Sequence, residues 1–521
     1  MFTGELRKYQ QPAYERMLER KRVVVAYDMG TGKTPITLAV TEELLESGEV
    51  DCGLVVAPSS LKYQWARQID NFSDNARVLV IDGDPKTRQK QYRKAQKLLY
   101  EYVILSYDNI VRDFEEVVEI PIQFMVCDEA TAIKSFRSKR SKQVKQIRPE
   151  YRFALTGQPV ENRPEEMFSI MQWVDPKVLG SFMQFETTFI VRNKSTGQVS
   201  RYRNLKLLNK TMGSAMVRKR RTDPDVREEM PDVVEETTLI DFDPSGRALY
   251  TKIGKELLGL LYTMPKGNWN IFSHYGDSED AETAQARGDV MARLMAMRML
   301  CCHPDLLKSS AARYLETMND PKPKGSKYCY ELSQHGLLDA VKAGPKLAEL
   351  HEDIQDLLSA DPLNKLVVFS FYPMMLRYIA SKVGSLTKSV FLTGDMKAKD
   401  RDASIAQFQG DKNTKLFLSS DAGGYGVDLP AGNYLFNYDL PWSTGKLQQR
   451  NARIVRLSST FESVTVINKL MRHSVEERQY DMLVQKGAVA SAWVDGKGLK
   501  GESGSFELTL DTLTKFLEET L

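Results

Sequence analysis

Short runs of β-branched and aliphatic residues punctuate the first third of the chain: RVVVAYD (22–28), CGLVVAP (52–58), RVLVID (77–82), YVILSY (102–107) and FMVCDEA (124–130). Segments of helix length separate them. Runs apolar at nearly every position belong to strands covered on both faces, and this alternation predicts βαβ units around a parallel sheet. From about residue 165 to 345 the rhythm gives way to longer helical patterns such as DVMARLMAMRML (289–300). Two segments there, 266–288 and 308–336, are rich in Gly, Pro, Ser and charge and read as mobile insertions. The βα rhythm returns with KLVVFSF (365–371), SVFLTGD (389–395), TKLFLSSD (414–421), NYLFNYD (433–439) and ESVTVINKL (462–470). The tail SFELTLDTLTKFLEETL (505–521) has the spacing of an amphipathic helix. The expectation is an α/β protein: a first lobe over 1–165, helical extensions and insertions over 166–345, a second lobe over 346–490 and a bracing helix within 491–521.

Composition narrows the class. A chain of 521 residues exceeds one ordinary core, and 42% hydrophobic with 27% charged residues is a globular balance. The formal net charge of +3 supplies no global basic field, so any contact with a polyanion must be local. Five cysteines without a CxxC spacing argue for a reducing compartment and against a disulfide framework. The polar start MFTGELRKYQ, and the lack of any apolar run approaching 18 residues, predict neither a signal peptide nor a membrane span. The expected location is the cytoplasm of a bacterium or of a phage-infected cell.

The densest chemistry lies in RVVVAYDMGTGKTPITLAV, where a strand ends at Asp28, a turn carries Gly30, Thr31 and Gly32, and Lys33-Thr34 open a helix. Glycines let backbone N–H groups crowd around phosphate oxygens, and the helix terminus adds a favourable field. Lys33 would reach the terminal phosphates and the Thr34 hydroxyl would bind Mg²⁺. The strict GxxxxGK[ST] pattern fails at its first glycine, where Tyr27 stands. A glycine-rich turn without nucleotide is the bland alternative. Asp128 and Glu129 end the run FMVCDEA; Asp128 would hold Mg²⁺ and Glu129 would orient an attacking water. Behind them, Lys134, Arg137, Lys139, Arg140 and Lys142 form a basic stretch, either a solvated loop or a set of phosphate contacts.

The series as a whole resembles the superfamily 2 helicases, and within them the Snf2-like DNA translocases. LRKYQQPAYERML is similar to the opening motif, which implies that Gln10 reads an adenine edge. LVVAPSSLKYQW resembles the segment whose hydroxyls and amides meet the tracked strand. DEATAIKS stands for the DEAH-type box with Thr131 in place of His, and RFALTGQPVENRPEEMFSI for the Thr-Gly-Thr-Pro segment with Gln158 in place of the second Thr. LFLSSDAGGYGVDLPAGNYLFNYDLPW resembles the motif that closes on ATP and DNA, which implies nucleotide contacts at Gly426 and Asp428. QQRNARIVR supplies Gln449 to the nucleotide and Arg453 and Arg456 as arginine fingers. MARLMAMRMLCCHPDLL, AGPKLAELHEDIQDLL and RHSVEERQYDMLVQK match further Snf2-like segments, so the likeness covers about residues 5 to 490. It implies two RecA-like lobes with helical insertions between and within them. It also implies ATP and Mg²⁺ as cofactors, and nucleic-acid contacts at Ser59, Ser60, Ser106, Ser370 and Ser419 beside the basic stretch from Lys134 to Arg140.

The activity so implied is ATP-driven movement along DNA by a monomer with duplex or branched DNA as partner. With no chromatin reader, nuclease motif or zinc module recognisable, a compact enzyme working on forks and junctions in replication, recombination or repair fits best. An RNA-dependent ATPase, the motor subunit of a larger complex and an idle DNA clamp are the alternatives. Cys301, Cys302 and His303 read as a helix end with a Pro stop rather than a zinc site, which would want a fourth ligand.

Overall fold

The computed structural model describes residues 1–160, 163–192, 199–264, 281–421, 427–495 and 510–521. Its strands are β1 (Arg22–Tyr27), β2 (Gly53–Ala57), β3 (Val78–Val80), β4 (Tyr102–Ser106), β5 (Phe124–Cys127), β6 (Tyr151–Leu155), β7 (Ile190–Arg192), β8 (Val199–Tyr202), β9 (Met216–Lys219), β10 (Asp232–Ile240), β11 (Leu366–Phe369), β12 (Lys388–Leu392), β13 (Thr414–Ser419), β14 (Tyr434–Asn437) and β15 (Ser463–Met471). The first sheet runs β3-β4-β2-β5-β6-β1-β9 and the second β10-β15-β14-β11-β13-β12, with every pairing in both parallel. The small β7–β8 pair is antiparallel. Each apolar run of the sequence is a strand, and β2, β4, β5, β6 and β11 are buried at every position, as two-sided helical cover requires. The protein is thus an α/β fold of two RecA-like lobes.

The sheets draw strands from beyond residues 1–165 and 346–490. β9 joins the first sheet beside β1, with Tyr27 level with Lys219, and β10 pairs with β15 over nine residues in the second. Both strands are sheet edges. The sequence MVRK is too short and basic to announce itself, and DVVEETTLI is exposed along most of its length, so it lacks the buried apolar run that marks a central strand.

The helical material divides between the lobes. Met167, Phe168, Trp173, Phe185 and Leu208 extend the first core, whereas Tyr250, Leu257, Leu294, Cys301 and Leu307 pack with Leu366 and Phe436 in the second. Segment 308–336, expected to be a mobile insertion, is instead largely ordered by the helices Pro304–Thr317 and Lys327–Gln334, which bury Ala311, Tyr328, Cys329 and Leu332. Apolar residues at helical spacing outweigh its Pro-Lys-Gly content. Of segment 266–288, residues 266–280 lie outside the described residues and the remainder begins the helix Ala281–Cys302. His303 caps the following helix, its Nδ1 accepting the Asp305 N–H at 3.2 Å. The tail forms the helix Leu510–Thr520, whose Leu513, Phe516 and Leu517 are buried in the second core. Among the described residues no helix is long and apolar enough to cross a membrane.

Candidate active site

β1 is buried from Val23 to Tyr27, and the chain turns sharply on leaving it. Gly30 and Gly32 do this with φ of +83° and +82°, a region that side chains with a Cβ rarely adopt. The helix Lys33–Glu46 then starts without any side-chain cap, leaving its first N–H groups aimed at the loop. Lys33 Nζ donates to the Tyr27 and Asp28 carbonyls at 2.9 and 3.2 Å. Burial pushes the pKa of this ammonium down, although Glu129, Asp128 and Asp28 pull the other way. Thr31 Oγ1 donates to the Asp28 carbonyl at 2.7 Å, and Thr34 follows in the first helical turn. Gln10 buttresses the loop: its Oε1 accepts from the Arg7 N–H at 2.9 Å and its Nε2 donates to the Thr31 carbonyl at 3.0 Å.

Asp128 emerges from β5, one strand removed from β1, with β6 between them. Its carboxylate accepts from Trp65 Nε1 at 2.8 Å and from the Glu129 N–H at 2.9 Å, and its carbonyl accepts from the Tyr107 hydroxyl at 2.7 Å. Burial raises the Asp128 pKa, opposed by the Trp65 bond and by Lys33. Glu129 turns away from the strand at φ +47°. The desolvated Asp128 carboxylate and the Thr34 hydroxyl at the start of the helix Lys33–Glu46 are oxygen donors, the kind that suits Mg²⁺, a hard cation. The segment after β6 closes in from above: a Cβ on Gly157 would fall 2.6 Å from Met29 Cγ.

The second lobe meets the loop directly. A Cβ on Gly30 would lie 2.6 Å from the Val455 carbonyl oxygen and 3.4 Å from Arg456 Cδ, so Arg456 borders the Lys33 loop across the cleft. Arg456 pairs with Asp428 at 2.6 Å, and its Nε is buried with no hydrogen-bond partner among the described residues. Arg453 Nη1 donates to the Val427 carbonyl at 3.2 Å. Gln449 sits half-buried in the helix Thr444–Asn451, and Gly426 lies outside the described residues.

Three residues at this cleft escaped sequence reasoning. Asp28 Oδ1 accepts from Arg218 Nη1 at 2.7 Å and Oδ2 from the Arg221 N–H at 2.9 Å, and burial lowers the Arg221 pKa. Arg218 and Arg221 lie in the basic stretch MVRKRRTD (216–223), and the β1–β9 register is what brings it to Asp28. Trp65 was noticed only within LVVAPSSLKYQW.

The expected nucleic-acid residues divide. Ser59, Ser60, Arg137 and Lys139 are exposed; Lys134 lies 3.6 Å from Glu166 and Arg140 2.8 Å from Asp108. Ser106, Ser370 and Ser419, by contrast, are buried and bonded within the protein. Ser106 forms a capping box with Asn109, Ser370 Oγ donates to Asp439 at 2.5 Å, and Ser419 Oγ donates to backbone carbonyls of Leu392 and Ser420. A hydroxyl at a parallel strand's end is as readily used to close the next turn as to meet a ligand.

Comparison with known proteins agrees with this architecture. A family model described as the SNF2-related domain matches residues 9–306, and one described as the helicase conserved C-terminal domain matches 349–458. The chain is 26% identical over 471 residues to YqhH of Bacillus subtilis, named an uncharacterized ATP-dependent helicase, covering 89% of this chain and 75% of that protein. It is 23% identical over 507 residues to the DNA repair and recombination protein RAD54B of Gallus gallus, covering 92% of this chain and 52% of that one. Of several other curated relatives it spans about half the length or less. The Pyrococcus furiosus Hef helicase domain shares the fold, with a TM-score of 0.53 at 14% identity, covering 91% of this chain and 97% of that one. With more than half its length matched by the first model, this chain belongs to the SNF2-related family, the Snf2-like ATP-dependent helicases and translocases of superfamily 2.

Proposed function

We propose that the chain hydrolyses ATP to move along DNA and that it remodels or unwinds branched DNA such as forks and junctions. The observation that carries this reading is the contact of the Lys33 loop with Val455 and Arg456 across the cleft, since only a site shared by both lobes can turn hydrolysis into lobe movement. Lys33 would leave the Tyr27 and Asp28 carbonyls for the nucleotide's terminal phosphates. Thr34 and Asp128 would hold Mg²⁺, which when bound offsets the phosphate charge. Glu129 would orient the attacking water and accept its proton as the γ-phosphoryl leaves. Arg453 and Arg456 would neutralise the charge that develops. Gly157, packed on Met29, would carry the state of the loop into the Thr156–Pro159 segment. Ser59, Ser60, Arg137 and Lys139, exposed on the first lobe, are suited to phosphate contacts that read no sequence. Kinship with a protein named for DNA repair and recombination supports DNA as the track.

The test is ATP hydrolysis by wild type and Lys33→Ala with single-stranded, duplex, forked and four-way DNA and with RNA. Strongest stimulation by branched DNA, absent in Lys33→Ala, is expected. Equal stimulation by plain duplex would make it a general translocase, and stimulation by RNA alone would overturn the substrate. DNA binding without any hydrolysis would leave a clamp.

A further inference from the structure

Apart from the nucleotide cleft, the second lobe carries a cavity of about 720 Å³ where the C-terminal ends of β11, β12 and β13 face the helix Pro304–Thr317. None of the cleft residues named above lines it. Arg313, Arg377 and Lys446 do, all three exposed, and none is in an ion pair among the described residues. Two acids also line it: Asp421 is already engaged by Arg450 at 2.6 Å, and Asp395, which accepts the Thr393 hydroxyl and feels Arg377 and Arg401, is a single negative charge against the three cations. The unmatched charge of the wall is therefore positive.

Phe371 projects at the same place and is 46% exposed. A lone exposed Phe is unremarked on most surfaces, but this one stands on a rigid footing. Its N–H donates to the Asp439 carboxylate at 2.9 and 3.0 Å, and that carboxylate also accepts from Ser370 Oγ. Behind the ring, Arg298 is 3% exposed, donates to the Leu440 carbonyl at 2.7 Å, and holds its guanidinium 5.8 Å from the Phe371 centroid and 4.8 Å from that of Trp442. Tyr372 meets Phe371 edge-on, with centroids 5.2 Å apart, and its hydroxyl is buried with no hydrogen-bond partner among the described residues. A fixed aromatic beside unmatched cations in a concave wall is the chemistry that holds an unpaired nucleotide: the base face lies on the ring and the flanking phosphates on the cations.

We propose that this cavity takes an unpaired nucleotide of the DNA strand, stacked on Phe371 with its phosphates at Arg313, Arg377 and Lys446. The inference rests on the DNA reading above and deepens it. In an intact duplex every base is stacked on its neighbours, so Phe371 can be used only where strands are parted or a base is turned out. The motor then grips opened DNA. Asp421, on the cavity wall, is bound by Arg450 of the helix that leads to Arg453 and Arg456, which ties occupancy of the cavity to the nucleotide cleft.

The experiment uses the full chain and an oligothymidylate carrying one 2-aminopurine, with a blunt duplex of equal length and an oligouridylate as companions. Wild type should quench the probe on binding. Phe371→Leu should lose the quench and bind the single strand about tenfold more weakly, while its duplex affinity and DNA-free ATPase stay unchanged and Phe371→Trp restores the quench. Lys446→Ala should lower the slope of log affinity against log salt by roughly 0.7 for the single strand. A wild-type quench retained in Phe371→Leu, or equal losses for single strand and duplex, would overturn the proposal, as would a quench with oligouridylate and none with DNA. If ATPase responds to DNA but the probe is never quenched, the cavity alone is refuted. If ATPase responds to no DNA, the DNA reading falls with it.

Discussion

Buried charges are treated differently in the two lobes. In the first, Lys33 touches only backbone carbonyls, Lys145 Nζ donates to Ser169 Oγ and Gln172 Oε1, and Arg152 donates to the carbonyls of Val174 and Pro149. Burial wins at each: Lys33 is pushed down, Lys145 to about 8 and Arg152 to about 10. In the second, burial presses on Lys346 and Arg450 as well, yet both are raised, because Glu476 and the pair Asp421 and Asp439 outweigh it. Lys346 meets Glu476 at 2.5 Å, and Arg450 lies 2.6 Å from Asp421 and 3.4 Å from Asp439. The division is not complete: Lys365 in the second lobe also sits on carbonyls and is lowered by burial, while in the first Arg88 pairs with Asp113 at 2.7 Å and is raised, and buried Lys62 pairs with Asp82 at 2.9 Å. At the ends of the strands, however, the contrast holds. The first lobe keeps a cation and a carboxylate desolvated and poorly matched, as a site awaiting a charged ligand must, while the second closes its charges on one another and becomes a rigid platform.

Substitutions sharpen the contrast. Lys33→Ala should reduce ATP hydrolysis by a thousandfold or more, with melting temperature and DNA affinity near wild type; hydrolysis close to wild type would remove Lys33 from the site. Arg450→Ala should do the reverse, lowering the stability of the second lobe by about 3 kcal/mol, since Asp439 is left buried, and Asp421 half-buried, without their cation; urea unfolding followed by intrinsic fluorescence reads this. Trp65→Phe keeps the ring but removes the donor to Asp128, so kcat should fall roughly tenfold with a raised requirement for Mg²⁺ and little change in melting temperature. The smallest effect lies at Lys145. Its pKa is lower folded than unfolded, so the folded chain holds this proton less tightly and stability should rise as pH climbs from about 8 toward the ordinary lysine value of 10.5. Melts from pH 7.5 to 10 should show the stability of wild type relative to Lys145→Met climbing with pH, since the other shifted groups are common to both. Lys346, whose pKa is raised, should give no such rise in the same window.

How much of this was legible in the chain follows from what a linear pattern records. Central strands such as β2 and β5 announce themselves because both faces are covered and every position is apolar. The Lys33 loop and Asp128 could be found because each follows such a strand within a few residues. β9 and β10 could not, although the edges β3 and β12 could: MVRK is short and half basic, and DVVEETTLI is exposed along most of its length, so neither carries an uninterrupted apolar run. Ser370 and Asp439 belong to elements whose order in the sheet, β14 beside β11, decides that they bond to each other, and nothing local encodes that neighbour. The same is true of Arg218 and Arg221 reaching Asp28 through a pairing about 190 residues apart in sequence.

The exposed edge strand β10 has a consequence for the protein in concentrated solution. Its side away from β15 has no strand partner among the described residues, and Val233, Val234 and Leu239 within it are exposed, which is a template for a second copy to pair against. Glu235 and Glu236 stand in the middle of that strand, so two such edges brought together face like charge against like charge. With a net charge of only +3, little else keeps copies apart. Salt screens that repulsion, the Debye length falling to about 3 Å at 1 M. Self-association should therefore grow with ionic strength, and the two glutamates act as the chain's guard against its own edge.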